Sequence, residues 1–326
     1  MSDIAAIRAA AARAEGRTRR TPLLEAPALS ALAGRRVLVK AECLQVTGSF
    51  KARGGWAAIS AIDPAARRAG VLAMSSGNHA QGVAWAAKAH GVPAVILMPA
   101  DAPASKIAGT RGYGAEVVTY DRATEDRDAL AARLAEERGL ALIPPFDHRQ
   151  VIAGQGTTGL EIAAQAAEAG VVRAEVLVCT GGGGLSAGIA LALAAEAPGL
   201  RVRTVEPEGF DDVARSLVSG RRERNPATTG SVCDAILTPA PGALTFPILR
   251  ALAGAGLVVS DAEALEAMRA AFRHLKLVVE PGGAVALAAA LFRGNAVGGD
   301  AVIAVATGGN VDADLYARVL AETPAV

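Results

Sequence analysis

Aromatic residues are scarce in this sequence: two Trp, three Tyr and six Phe make up 3% of 326 residues. Charge of one sign is lacking too, since 33 Lys+Arg stand against 32 Asp+Glu for a formal net charge of +1. A nucleic-acid binder needs a basic stripe and usually stacking aromatics, so that class is excluded. Long apolar runs are also missing. The longest unbroken one, residues 284–292, falls far short of the ~18 residues read as a membrane span. The three cysteines, Cys43, Cys179 and Cys233, are scattered and form no CxxC pair. Neither a disulfide framework nor a zinc knuckle is indicated, and a reducing, cytoplasmic setting fits. The opening MSDIAAIRAAAARAEGRTRR has no hydrophobic secretory core. Its Arg and Ala content has something of a transit peptide, but Ile4, Ile7 and Ala11 fall on one helical face and predict a docking helix.

What is present is 52% hydrophobic residues, mostly Ala, Val, Leu and Ile, with 36 Gly. With 20% charged residues the chain is not disordered. Its length suits one large or two ordinary domains with a sizeable core. Short β-branched runs begin at Val37, Val71, Ala94, Glu116, Val176, Val202 and Ala301. They are nearly continuous hydrophobes, as expected of strands covered on both faces. Helical stretches rich in Ala and other good formers lie between them, for example 81–90, 127–138 and 185–196. This alternation predicts an α/β fold with largely parallel sheets. There is no internal repeat or low-complexity linker. Pro144-Pro145 breaks the rhythm and is the expected crossing between domains.

Four motifs follow predicted strands, at the edge where open parallel sheets bind ligands. The first is Cys179-Thr180-Gly181-Gly182-Gly183-Gly184-Leu185-Ser186. Four glycines free the backbone N–H groups to converge on an anion, and a helix N-terminus follows. No GK[ST] follows, and the spacing is not GxGxxG, so neither a P-loop nor a dinucleotide fold is indicated. A tight strand-to-helix turn alone needs only one or two glycines. The second is Gly48-Ser49-Phe50-Lys51-Ala52-Arg53-Gly54. A lysine between Phe and small residues can be desolvated, which lowers its pKa and favours a free amine. Paired with a phosphate cradle, it points to pyridoxal phosphate, anchored by a lysine Schiff base and a phosphate pocket. The third is Ser75-Ser76-Gly77-Asn78-His79. Its serines serve either as helix caps or as donors to a substrate carboxylate. The fourth is Thr307-Gly308-Gly309-Asn310, either a strand-ending turn with Asn310 as a cap or a hydroxyl partner for a ring nitrogen.

Together these motifs resemble the fold type II pyridoxal-phosphate enzymes, specifically the serine/threonine dehydratase and serine racemase branch. The likeness runs from about Thr21 to Asp312, with GSFKARG, SSGNH, GQGT (154–157), GGGG, EPGGA (280–284) and TGGN in family order. It implies a two-domain fold of the tryptophan synthase β type. Residues 1–49 and 148–326 would form the large cofactor-binding domain and 50–147 the small one, with the cofactor between them. A homodimer is implied as well. By motif position, Lys51 is the Schiff-base lysine and also moves the α-proton. Asn78 meets the ring oxygen, Thr307 the ring nitrogen, and Gly181, Gly182, Gly183, Gly184 and the Leu185 backbone hold the phosphate. Phe50 and Glu280 complete the cofactor-binding set. Ser75, Ser76, Asn78 and His79 bind the substrate, and Ser76 is the acid/base on the face opposite Lys51. Ala52 stands where threonine synthases of this fold carry Asp, and the lysine context differs from the SVKDR of cysteine synthases. Elimination is therefore favoured over β-replacement.

The implied reaction is dehydration and deamination of L-threonine or L-serine to a 2-oxo acid and ammonia. A 3-hydroxyaspartate dehydratase and a serine racemase with dehydratase activity are the alternatives. Further off stand a non-catalytic cofactor-binding protein and a β-replacing synthase. Arg133 is a candidate for a second substrate carboxylate, or a surface residue of an Ala/Glu-rich helix. The segment that the resemblance implies as the specificity loop, residues 234–241, aligns with relatives only through a gap and is not readable from the sequence. Another cluster, Glu206-Pro207-Glu208-Gly209-Phe210-Asp211-Asp212, bends two carboxylates and a carbonyl around a glycine turn. That suits a hard divalent cation, though a solvated acidic loop has the same composition. Serine racemases hold Mg²⁺ or Mn²⁺ in the matching segment, which implies Glu206, the Phe210 carbonyl and Asp212 as ligands. Only 16 residues follow Asn310, so the C-terminal regulatory domain of biosynthetic threonine dehydratases, and isoleucine feedback through it, is not expected.

Overall fold

The computed structural model describes residues 3–102, 104–121, 123–299 and 301–322. The apolar runs form ten strands among these residues: β1 (Leu23–Glu25), β2 (Arg36–Ala41), β3 (Val71–Met74), β4 (Ala94–Pro99), β5 (Glu116–Tyr120), β6 (Ala141–Leu142), β7 (Ala174–Cys179), β8 (Leu200–Pro207), β9 (Leu257–Val259) and β10 (Ala301–Ala306). They make two sheets. The larger has the order β1-β2-β10-β7-β8-β9 and the smaller β5-β4-β3-β6. All pairings are parallel except β1 with β2. Every residue of β4 and β10 is buried, as unbroken hydrophobic runs require when helices cover both faces. Helices Gly184–Glu196 and Pro281–Phe292 are themselves apolar and largely buried.

Parallel strands deliver their C-terminal ends to one edge. β2 leads to residues 42–50, β3 to 75–79, β7 to 180–183 and β10 to 307–310, so the motifs come from strand ends. The GQGT motif has another task. It lies inside helix Arg149–Glu168, where Gly156 packs on Gly188 of helix Gly184–Glu196. A Cβ at Gly156 would stand 2.9 Å from the Gly188 carbonyl oxygen, so the glycines set how closely these helices approach. The N-terminal docking helix is present as Ile4–Ala14, but its buried face is Ile7, Ala10 and Ala14. Ile4 and Ala11 flank that face half-buried, because the helix meets its neighbours one position round from the expected stripe. No helix among the described residues is long and apolar enough to cross a membrane. The three cysteines are free and buried.

Two residues beyond Lys51, Arg53 is almost fully buried and bonds to three parts of the chain. Its guanidinium donates to both oxygens of Glu42, at 2.8 Å each, to both of Glu161 at 2.7 and 2.9 Å, to Thr157 and to the Arg19 carbonyl. Lys40 also donates to Glu161, at 2.6 Å, and to the Thr21 carbonyl and Gln165. The four charges sum to zero. Burial alone would raise the Glu42 carboxyl, but Arg53 and Lys40 hold it below its ordinary value. Losing one partner leaves the other charge buried and unpaired, which costs about 3–5 kcal/mol. Glu42→Gln and Arg53→Met are therefore each expected to lower unfolding free energy by that order in urea titrations. A loss under about 1 kcal/mol would mean that the network contributes little to stability.

Candidate active site

The strand-end loops surround a cavity of about 320 Å³. Lys51, the first residue of helix Lys51–Ser60, lies in its wall. The amine donates to the Pro145 carbonyl at 2.8 Å and stands 5.2 Å from the Phe50 ring centre. Burial pulls its pKa down to about 8, against the attraction of Glu280. Much of the amine is then the free base at mildly alkaline pH.

Asn78 opens helix Asn78–His90, and its amide is held on both sides. Its Nδ2 donates to Glu280 Oε1 at 2.6 Å, and its Oδ1 accepts from Asn310 Nδ2 at 2.7 Å. Asn310 also donates to the Thr47 carbonyl. Burial raises the Glu280 carboxyl to about 7, opposed by the Asn78 bond. The His79 ring turns to the Ile143 carbonyl at 2.8 Å. Burial, and next the charge of Lys51, push His79 down to about 3, so the ring is neutral and Nε2 carries the proton donated to Ile143.

The glycine run forms a concave backbone. Gly183 has φ +90 and precedes helix Gly184–Glu196, whose first N–H groups meet no side-chain cap. A Cβ at Gly182 would enter the Phe146 ring, and one at Gly183 would stand 2.9 Å from Thr245 Oγ1. Thr245 fixes the run by donating to the Gly182 carbonyl at 2.6 Å. Bare N–H groups at a helix N-terminus form a ready anion site. A lysine of lowered pKa on the same cavity as this cradle fits pyridoxal phosphate.

The comparisons agree with this chemistry. The family model described as pyridoxal-phosphate dependent enzyme matches residues 14–308. This chain belongs to the pyridoxal-phosphate dependent enzymes. An L-threo-3-hydroxyaspartate ammonia-lyase from Pseudomonas sp is 46% identical over 318 residues, 95% of this chain and 96% of that protein. A serine racemase from Schizosaccharomyces pombe is 40% identical, covering 93% of this chain and 92% of its own. A solved serine racemase from maize has a TM-score of 0.90 at 36% identity, spanning 97% of this chain and 96% of that one. The enzyme has the fold type II architecture of these relatives.

Most residues singled out in the sequence meet at this cavity. Phe50, Lys51, Ser75, Ser76, Asn78, His79, Gly181 to Gly184, Leu185, Glu280 and Thr307 all line it. Thr307 is buried, its hydroxyl beside the Cys179 thiol. Arg133 does not join them. It is exposed on helix Arg127–Arg138 and faces Glu137 one turn on, so its surface reading is the correct one. Glu206, Phe210 and Asp212 form a separate buried group. Both Glu206 oxygens accept backbone N–H groups, from Val213 at 2.8 Å and Ala214 at 2.7 Å. Burial, with Asp212 nearby, raises Glu206 well above its ordinary value, and burial raises Asp212 to about 6. Asp212 Oδ1 accepts from Asn225 at 2.6 Å, while Oδ2 is buried without a hydrogen-bond partner. No group of three or more His, Cys, Asp or Glu side chains that could hold a metal occurs among the described residues.

Several wall residues carried no signal in the sequence. Phe146 backs the glycine cradle, yet it follows the Pro-Pro step that reads as a linker. Lys106, Arg127, Asp234 and Thr238 also line the cavity. Asn310 was legible as the end of TGGN, but only as a cap, and its bond to Asn78 needed the fold.

Lys51 makes a stability prediction. Its folded pKa lies below the ordinary 10.5, so its burial penalty is complete below pH 8 and fades as pH rises toward 10.5. In the apoenzyme, Lys51→Met is expected to add roughly 3 kcal/mol below pH 8, with the gain shrinking above it in urea titrations. A gain independent of pH would contradict the assignment.

Proposed function

We propose that this enzyme is an ammonia-lyase that eliminates water from β-hydroxy amino acids, the released enamine then taking up water to give a 2-oxo acid and ammonia, with L-serine and L-threonine as substrates. The observation that carries this is the meeting of a lysine of lowered pKa, a bare glycine cradle and the Ser75–Ser76 loop on one cavity. Gly181 to Gly184 and Leu185 would hold the cofactor phosphate by N–H groups, Asn78 its ring oxygen and Thr307 its ring nitrogen, with Phe50 and Glu280 closing the pocket. When bound, pyridoxal phosphate supplies the electron sink that makes the substrate α-proton acidic. The N-terminus of helix Asn78–His90 and the Ser75 to His79 backbone receive the α-carboxylate. The Lys51 amine takes the α-proton, aided by its lowered pKa. Ser76 delivers a proton to the α-carbon from the other side and so supports racemisation. A non-catalytic binder has no need of Lys51 and Ser76 in the same cavity, and a β-replacing synthase would release no free 2-oxo acid.

Residues 1–49 and 148–326 make one domain and 50–147 the other. In support, β1, β2 and β7 to β10 build one sheet, and β3 to β6 the other. The enzyme works in the cytoplasm as a homodimer. Exposed Leu44, Phe272 and Val278 offer it apolar surface. Mg²⁺ or Mn²⁺ binds at Glu206, the Phe210 carbonyl and Asp212, where a cation would neutralise two buried carboxylates and engage the unpartnered Asp212 Oδ2.

In 2-oxo-acid assays, Lys51→Ala is expected to lower turnover by roughly 10³-fold or more; full activity would end this account. Ser76→Ala is expected to cut racemisation far more than elimination, measured by chiral chromatography. Equal losses would make Ser76 a carboxylate or structural residue. Dialysis against a chelator is expected to lower the melting temperature and Mg²⁺ to restore it; no change would rule out the cation.

A further inference from the structure

Lys106 lies on helix Ala104–Gly112, which follows β4 of the smaller sheet. Asp234 opens the short turn Asp234–Ile236, beyond β8 of the larger one. Both line the cavity, and the Lys106 ammonium donates to the Asp234 carboxylate at 2.9 Å. One ion pair therefore joins the two sides of the site. The partners are unequal: the lysine side chain is 23% exposed and the aspartate 64%. Burial pulls the ammonium down, but Asp234, with Asp312 and Glu280 further off, more than restores its charge. A pair with so exposed an anion is worth about 0–1 kcal/mol, so another carboxylate can replace Asp234 at little cost.

The helix also aims the cation. A Cβ at Gly109 would lie 3.9 Å from the Gln81 amide, so that face of the helix looks at helix Asn78–His90 near its start. Lys106 is three positions before Gly109 and shares its face. It thus faces the region where the substrate's α-carboxylate is received. The other candidate cations are less suited. Arg127 lines the cavity but pairs with its neighbour Asp128 and is half-exposed. Arg133 is outside the cavity and exposed.

We propose that Lys106 binds the second carboxylate of a β-hydroxy dicarboxylic amino acid of the 3-hydroxyaspartate type, displacing Asp234, which occupies that carboxylate's place beforehand. This deepens, and rests on, the lyase reading above. Serine and threonine have no second carboxylate, so with them the Lys106–Asp234 pair stays closed.

The test compares kcat/KM of the holoenzyme for L-threo-3-hydroxyaspartate and for L-serine. Lys106→Met is expected to lower the ratio of the two by about 30-fold or more, the scale of a lost charge-assisted hydrogen bond. Asp234→Asn is expected to raise the ratio, because Lys106 is then free. Melting temperatures supply a second readout. Succinate is expected to stabilise the wild-type holoenzyme more than butyrate does, and Lys106→Met to erase that difference. An unchanged ratio in Lys106→Met, or a loss that follows Arg127→Met instead, overturns the proposal. Turnover of L-serine or L-threonine without any of 3-hydroxyaspartate overturns it and leaves the lyase reading standing. A holoenzyme that acts on none of the three overturns both.

Discussion

Two residues after the site lysine, a guanidinium sits where almost no water reaches it, gripped by Glu42 beyond β2 and by Glu161 on a helix from the far side of the sequence. A charge in that position is tolerable only if its hydrogen-bond donors are engaged and its field is cancelled. Arg53 meets both conditions, and Lys40 balances the second carboxylate. The arrangement has little freedom, because shifting helix Lys51–Ser60 by even one residue would strand buried charges. The Lys51 amine is therefore fixed on the cavity by a network that does not itself line it.

The cavity runs on the opposite principle. Apart from the Lys106–Asp234 pair and Arg127 in its wall, its ionisable groups are buried without full compensation, and their charges are weakened accordingly. Lys51 is drawn down, Glu280 up, and His79 down so far that it is neutral. Around the glycine cradle and the Ser75 to His79 loop, what remains is mainly uncharged donors: amides, hydroxyls and backbone N–H groups. Such groups orient a charged ligand without competing for its charge. Few aromatics are needed, since a cofactor of this kind brings its own ring. Many glycines are needed, since the phosphate is met by backbone.

The strands were legible because parallel sheets covered on both faces leave an unmistakable hydrophobic signal, and the seven runs read in the sequence match β2 to β5, β7, β8 and β10. The short β1, β6 and β9 were not, having only two or three residues and mixed burial. The motif residues were legible because their chemistry demands particular side chains in fixed local order. Lys106, Asp234, Phe146 and Thr238 were not, because each is an ordinary residue whose role comes from its neighbours.

Sequence by itself determined the chemistry of this protein. A desolvated lysine, four adjacent glycines and the serine loop are local features, and local order suffices to specify what they can hold. Only the tertiary structure decided which of them share a cavity, and which charges face it. Arg133 and Arg127 stand six positions apart on one helix, yet one points to solvent and the other lines the site. The physical reason is that charge recognition depends on distance and burial, and both are set by how the two sheets and their helices pack, not by spacing along the chain.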